Sequence, residues 1–226
     1  MNKKYLIAFD FDGTLYPLIP YDSEQRLVLS TAKNRGHLNR LRAKRMVEKD
    51  NQGRMGLGEF NRRYHDLLGG CTPSQIDEVA SDLFSLVDPT QFTLLKELSK
   101  KADLAILSCG TENIIHAFLS LHKIEHHFFQ VSGKSLHFTK GEKPDIVCTI
   151  GSPEEKREAF ATLKKNYTTT IAVGDGPTDI PMLKEADLGL IIDWNGEEAK
   201  YSFETFSDLH TALERCLSYL EKAEEA

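Results

Sequence analysis

Four short runs in this chain are apolar at nearly every position: Tyr5-Leu6-Ile7-Ala8-Phe9, Leu104-Ala105-Ile106-Leu107, Thr169-Thr170-Ile171-Ala172-Val173 and Leu188-Gly189-Leu190-Ile191-Ile192. Continuous apolar runs of this length suit strands buried on both faces of a parallel sheet. Between them lie helical signals. Leu209, Ala212, Leu213, Cys216, Leu217 and Leu220 recur at helical spacing and make one apolar face. Asp88-Pro89-Thr90-Gln91 reads as a helix start, with Asp at the N-cap and Pro in the first turn, and Ser152-Pro153-Glu154-Glu155 reads as another with a full capping box. Strand alternating with helix predicts an α/β fold with a doubly wound parallel sheet.

One region breaks the alternation. Residues 16–88 hold no clear strand and look helical, with Thr72-Pro73-Ser74-Gln75 starting one helix and Gly53, Gly56 and Gly58 marking a flexible turn. Proline-bearing segments, Tyr16-Pro17-Leu18-Ile19-Pro20 and Val87-Asp88-Pro89, bound it as linkers. The expected organisation is a core of residues 1–15 and 89–226 with an inserted helical cap at 16–88. The insert is electrically uneven. From Lys33 to Arg63 ten Lys or Arg face only Glu48, Asp50 and Glu59, near +7 within a chain of net charge −6. That stretch is either a solvated helix face or a surface that steers an anionic substrate.

Composition narrows the classes. Forty per cent hydrophobic and 27% charged residues over 226 positions argue against disorder and leave enough apolar chain for a sizeable core. The net negative charge excludes a globally basic nucleic-acid binder. No run approaches the roughly 20 apolar residues of a membrane span, and the first apolar run is too short for a signal peptide, so a cytoplasmic protein without membrane partners is expected. Cys71, Cys109, Cys148 and Cys216 form no Cys-x-x-Cys pair, so neither a zinc ribbon nor a thioredoxin motif is present.

The chemistry-bearing residues cluster at strand ends. The first run leads into Asp10-Phe11-Asp12-Gly13-Thr14. Two carboxylates one residue apart can divide the work of nucleophile or metal ligand and of general acid/base. The second run ends in Ser108-Cys109-Gly110-Thr111 ahead of a helix whose apolar face is Ile114, Ile115, Phe118 and Leu119. A hydroxyl and free N–H groups at a helix start suit a phosphate oxygen, although a simple N-cap looks the same. Lys156 falls in the first turn of the Ser152 helix, the wrong end for a cation unless it faces an anion. The third run ends in Gly174-Asp175-Gly176-Pro177-Thr178-Asp179. This fails the dinucleotide Gly-x-Gly-x-x-Gly pattern. Carboxylates without a His or Cys set suit Mg²⁺ better than Zn²⁺.

In this order, Asp-Phe-Asp-Gly-Thr, a strand-end Ser, a Lys and Gly-Asp-Gly-Pro-Thr-Asp resemble the four motifs of the haloacid dehalogenase superfamily, and the insert resembles the helical cap of its phosphoserine phosphatase branch. The resemblance implies a Mg²⁺-dependent phosphomonoester hydrolase acting on a small phosphorylated metabolite. Asp10 would attack phosphorus and become an aspartyl-phosphate, and Asp12 would protonate the leaving alcohol and then activate water. Ser108 and the Gly110 N–H would hold phosphoryl oxygens, and Lys156 would offset the negative charge. Asp10, the Asp12 carbonyl and Asp175 would bind Mg²⁺, with Asp179 in or behind that shell. A phosphotransferase or phosphomutase on the same chemistry is the alternative. A phosphorylation-controlled module resembling a receiver domain is a further one, disfavoured by Asp12 and the insert.

Residues Gly53 to Leu68 resemble the cap segment of phosphoserine phosphatases, with Phe60 at a matching phenylalanine. That family's arginine for the substrate carboxylate falls on Leu67, and its glutamate for the ammonium falls on Ile19. A substrate other than phosphoserine is therefore expected, with Arg54, Arg62 and Tyr64 as candidates for a specificity surface. His122, His126 and His127 lack further metal ligands in sequence, Phe128-Phe129 reads as core, and Cys109 falls in the site without a nucleophile's setting.

Overall fold

The computed structural model describes residues 4–140, 142–196 and 201–225. The outermost residues of the expected core, 1–3 and 226, lie outside the described residues. The chain runs β1 (Tyr5–Phe9), α1 (Ser23–Lys33), α2 (Gly36–Asn51), α3 (Leu57–Leu67), α4 (Pro73–Phe84), α5 (Leu95–Lys101), β2 (Ala102–Thr111), α6 (Glu112–Leu121), β3 (Phe128–His137), β4 (Asp145–Cys148), α7 (Pro153–Lys164), β5 (Thr169–Gly174), α8 (Ile180–Glu185), β6 (Leu188–Ile192), β7 (Glu204–Phe206) and α9 (Leu209–Glu225).

The seven strands form one sheet in the order β4-β3-β2-β1-β5-β6-β7. All four apolar runs are strands, and all pair in parallel. After β1 the chain builds outward through β2, β3 and β4, then returns to β5 on the other side of β1 and builds outward again. That reversal opens a crevice beyond the carboxyl ends of β1, β2 and β5, where α/β sheets bind ligands. The sheet is not wholly parallel, because β4 runs antiparallel to β3 along one edge.

Alternation sorts the strand residues onto two faces. Ile7, Phe9, Ile106, Val173 and Ile192 join one apolar cluster with α6 and α9. Leu6, Ala8, Leu107 and Ala172 face the other way, under Phe160 of α7 and Met182 and Leu183 of α8. The α9 face is as the periodicity predicts, with Leu217 only half-buried. Between β1 and β2 the chain folds into the four helices α1–α4 joined by turns, with α5 directly ahead of β2. Leu27, Val28, Met46, Tyr64, Ile76 and Leu83 of those helices belong to the same apolar cluster as β1 and β2, and α4 packs on α6. The insert therefore shares a continuous core with the sheet.

Several local expectations are corrected. Pro89–Phe92 is a 3-10 turn capped by Asp88, and the α-helix begins only at Leu95. The Ser152 hydroxyl does accept from the Glu155 N–H, but the Glu155 carboxylate turns to the Gly151 N–H at 2.8 Å, so the capping box does not close on its own N-cap. The Thr72–Gln75 pair does close one. Phe128 and Phe129 do not both enter the core. They begin β3, where neighbours point to opposite faces, so Phe128 packs edge-on against Phe9 while Phe129 is half-exposed.

Candidate active site

Asp10 follows directly on β1, and its N–H donates to the Val173 carbonyl, which extends the pairing with β5 by one residue. The backbone then turns through Gly13 at φ +78°, a conformation that favours glycine. A side chain there would also strike Asp175, since a Cβ would lie 2.1 Å from Oδ2. Gly13 thus lets the β1 and β5 loops touch, bringing Asp10 and Asp175 together.

Asp10, Asp175 and Asp179 each offer one oxygen within 4.8 Å of the others. Lys156 enters this group from α7, only 1% exposed, with Nζ 2.8 Å from Asp10 Oδ1 and 2.7 Å from Asp179 Oδ1. The remaining oxygen of Asp179 accepts from the N–H groups of Asp175 and Gly176 at 3.0 and 3.1 Å. Asp179 therefore aims the lysine and shapes the loop that carries Asp175. Burial disfavours charge on Lys156, but Asp10 and Asp179 outweigh it and hold the ammonium above its usual range. Burial and the neighbouring Asp179 push Asp10 up to about 7 despite Lys156, and burial with Asp179 and Asp10 pushes Asp175 well above its usual range. Three carboxylates with one buried ammonium are short of positive charge. Their all-oxygen donor set and this deficit fit a hard divalent cation such as Mg²⁺.

Opposite Asp10 stand Ser108 and Gly110 at the end of β2. Ser108 is 1% exposed and its Oγ accepts from the Gly110 N–H at 3.0 Å. Asp12 is gripped from the insert side. Its Oδ1 accepts from the Ser23 N–H at 2.8 Å and from the Tyr16 hydroxyl, and its Oδ2 accepts from the Ser23 hydroxyl at 3.0 Å. A cavity of about 250 Å³ is lined by Asp10, Asp12, Ser108, Gly110, Lys156 and Asp175 together with Phe60 and Leu57 of α3. Six predicted residues therefore share one cavity, and Asp179 stands directly behind it.

The three cap candidates do not join them. Arg54 and Arg62 are exposed and do not line the cavity. Tyr64 is fully buried, with its hydroxyl 2.7 Å from Thr111 Oγ1. Other residues line the wall instead: Asp22, Glu24 and Asp50 from the insert and Lys134 from β3. Lys134 Nζ lies 2.7 Å from Glu24 Oε2, and Thr111 donates to Glu24 Oε1 at 2.8 Å. Lys134 and Glu24 are 3% and 5% exposed, so this ion pair is buried where the insert meets the sheet. Burial lifts the Glu24 carboxyl and Lys134 pulls it only part of the way back, whereas Glu24 outweighs burial at Lys134 and keeps its ammonium charged. The Asp22-Ser23-Glu24-Gln25 helix start was the available sequence signal for this wall. Nothing local marks Lys134.

The remaining features stay outside the chemistry. Burial pushes the Cys109 thiol up to about 12, which keeps it protonated. His122 sits among Phe84, Phe92 and Phe118 with both ring nitrogens buried and unpartnered, and burial holds it down at about 4. Neither it nor His126 and His127 enters a metal-ligand cluster among the described residues.

The fold and site together define a doubly wound α/β protein with buried carboxylates and a lysine at the carboxyl edge of its sheet. Residues 7–184 match the model of the haloacid dehalogenase-like hydrolases, and the chain belongs to that family. No curated protein matches it. Among solved structures it is similar to a HAD family hydrolase of Salmonella enterica serovar Typhi (19% identity, TM-score 0.70, covering 94% of this chain and 71% of that one). It is also similar to a phospho-aspartyl intermediate analogue of phosphoserine phosphatase (20% identity, TM-score 0.68, covering 96% and 99%). A third is a probable phosphoserine phosphatase of Vibrio cholerae (20% identity, TM-score 0.71, covering 96% and 66%). At these identities the likeness is one of fold. Among the described residues no helix is long and apolar enough to cross a membrane.

Proposed function

We propose that this chain is a Mg²⁺-dependent phosphomonoester hydrolase that works through an aspartyl-phosphate on Asp10, with residues 16–88 as the cap over its site. The observation that carries this reading is the buried Asp10 carboxylate held by Lys156 across a cavity from Ser108 and Gly110. Asp10 attacks phosphorus, and Lys156 fixes its carboxylate and offsets charge that would otherwise repel a phosphate. The Ser108 hydroxyl and Gly110 N–H, bonded to each other here, turn to phosphoryl oxygens. Asp12 gives a proton to the leaving oxygen and later takes one from water. Asp10, the Asp12 carbonyl and Asp175 would hold Mg²⁺, which when bound supplies further neutralisation of the transferring group.

The leaving group is a small metabolite fragment without a carboxylate. No arginine lines the cavity among the described residues, and its wall on the insert side carries Asp22, Glu24 and Asp50. Lys134 on that wall is already paired with Glu24, so an added carboxylate would face Asp22 and Asp50 without a free cation among the described residues of the wall, and phosphoserine is disfavoured. The missing acid at Ile19 weighs less than the sequence implies, because Asp22, Glu24 and Asp50 supply carboxylates from other positions. The leaving group is neutral or cationic.

The test is release of inorganic phosphate from a panel of phosphorylated metabolites, with Mg²⁺ and with EDTA. Turnover should need Mg²⁺ and vanish in Asp10→Asn, since a carboxamide is a poor nucleophile. More than a few per cent of wild-type kcat in that variant would remove Asp10 from its role. Transfer to an added alcohol in preference to water would identify a phosphotransferase.

A further inference from the structure

Asp12 is held by side chains that sequence reasoning did not single out. Tyr16 and Ser23 are fully buried. Tyr16 is wedged between Phe11 and Phe118, with ring centroids 5.2 and 5.9 Å away. Ser23 opens α1, whose Asp22 cap is already engaged by the Gln25 N–H at 2.7 Å, which leaves the Ser23 N–H free to reach Asp12.

The two oxygens of Asp12 are not equivalent. Oδ1 faces the Tyr16 hydroxyl and the Ser23 backbone N–H, and a backbone N–H can only donate. A proton on Oδ1 would confront that N–H. Oδ2 has one side-chain partner, the Ser23 hydroxyl, which can donate to a carboxylate and turn to accept from a carboxylic acid. Oδ2 also lies on the side of Gly110 and Ser108, the groups proposed to hold the phosphoryl oxygens. A Cβ on Gly110 would lie 2.7 Å from Asp12 Oδ2, 3.2 Å from Ser108 Oγ and 3.6 Å from Ser23 Oγ, so these three oxygens converge on one spot.

We infer that Tyr16 and Ser23 are positioning residues that lock Asp12 and make Oδ2 the oxygen that carries its transferable proton. This rests on Asp12 as the general acid/base. In the first step an Asp10 oxygen bonds to phosphorus, the bond from phosphorus to the leaving oxygen breaks, and that oxygen takes its proton from Asp12 Oδ2. In the second, water bonds to phosphorus and gives a proton to Oδ2, and the bond from phosphorus to Asp10 breaks. Ser23 Oγ turns between donor and acceptor as Oδ2 loses and regains the proton.

The experiment measures kcat/KM with saturating Mg²⁺ over phosphate monoesters whose leaving groups run from a nitrophenol to a simple alkanol. An acidic phenol leaves without a proton, and an alkanol needs one. Ser23→Ala and Tyr16→Phe should each lose about tenfold on alkyl esters and under about twofold on the nitrophenyl ester. Ser23→Thr should restore most of the alkyl activity, because it returns the hydroxyl. A folding defect would lower all esters alike, and an equal loss, or no loss, across the series in both Ser23→Ala and Tyr16→Phe overturns the inference. Asp12→Asn run beside them separates the two levels. Full activity on alkyl esters in Asp12→Asn would sink the acid/base reading and this inference with it. A steep loss there alongside a flat response in Ser23→Ala and Tyr16→Phe would overturn the positioning role alone.

Discussion

Lys134→Met tests how the insert is fixed to the sheet. The substitution keeps the length and apolar stem of the side chain and removes its ammonium. Glu24 is then left 5% exposed with Thr111 as its remaining hydrogen-bond donor. Removing one partner of a buried ion pair costs about 3–5 kcal/mol, because the surviving charge stays out of water. In a chain of this size each kcal/mol lowers Tm by roughly 2–4 °C, so a fall of about 6–20 °C is expected at pH 8. The pH dependence carries the more specific signature. With Lys134 gone, burial holds the Glu24 carboxyl further above its unfolded value. A carboxyl whose pKa is raised by folding adds stability below the unfolded pKa and loses it as pH rises through the folded one. The deficit of Lys134→Met should therefore be largest at pH 8 and shrink toward pH 5, with a slope of at most about 1.4 kcal/mol per unit for one proton. Glu24→Gln with Lys134→Met should recover most of the loss, since no buried charge remains. Urea unfolding followed by circular dichroism, in EDTA to exclude stabilisation by bound cations, measures all three proteins. A deficit below about 1 kcal/mol at pH 8, or one independent of pH, would refute the reasoning.

Two further outcomes follow from the site. Lys156→Met should lower kcat by roughly 10²–10³-fold, because the fixed ammonium 2.8 Å from Asp10 is lost from a buried site, and a loss below tenfold in steady-state assays would contradict this. Arg54→Ala with Arg62→Ala should leave kcat/KM within about twofold at ~0.15 M salt, since both arginines are exposed and off the cavity wall. A larger loss that fades by ~0.5 M salt would show that the basic stretch steers substrate after all.

The parts of this protein that its sequence determined are those governed by neighbours along the chain. Four continuous apolar runs could only be satisfied by burial on both faces, so four of the six described parallel strands were legible. A carboxylate, hydroxyl or lysine next to the end of such a run, or in the first turn of a helix, is carried to the ligand edge by strand geometry alone. Asp10, Asp12, Ser108, Gly110, Lys156 and Asp175 were found in this way, with Asp179 just behind them. What only the tertiary structure decided depends on contacts between distant segments. Lys134 lies 110 residues from Glu24, Asp12 is 11 from Ser23, and no period or motif links either pair. β4 is a four-residue edge strand with mostly exposed side chains, and β3 mixes polar and apolar residues, so neither produced a hydrophobic signal. Arg54, Arg62 and Tyr64 illustrate the same limit from the other side. Charge and residue type are written in the sequence, but whether a side chain turns to the cavity, to solvent or into the core is settled by how α3 and the turn before it, which carries Arg54, pack on their neighbours.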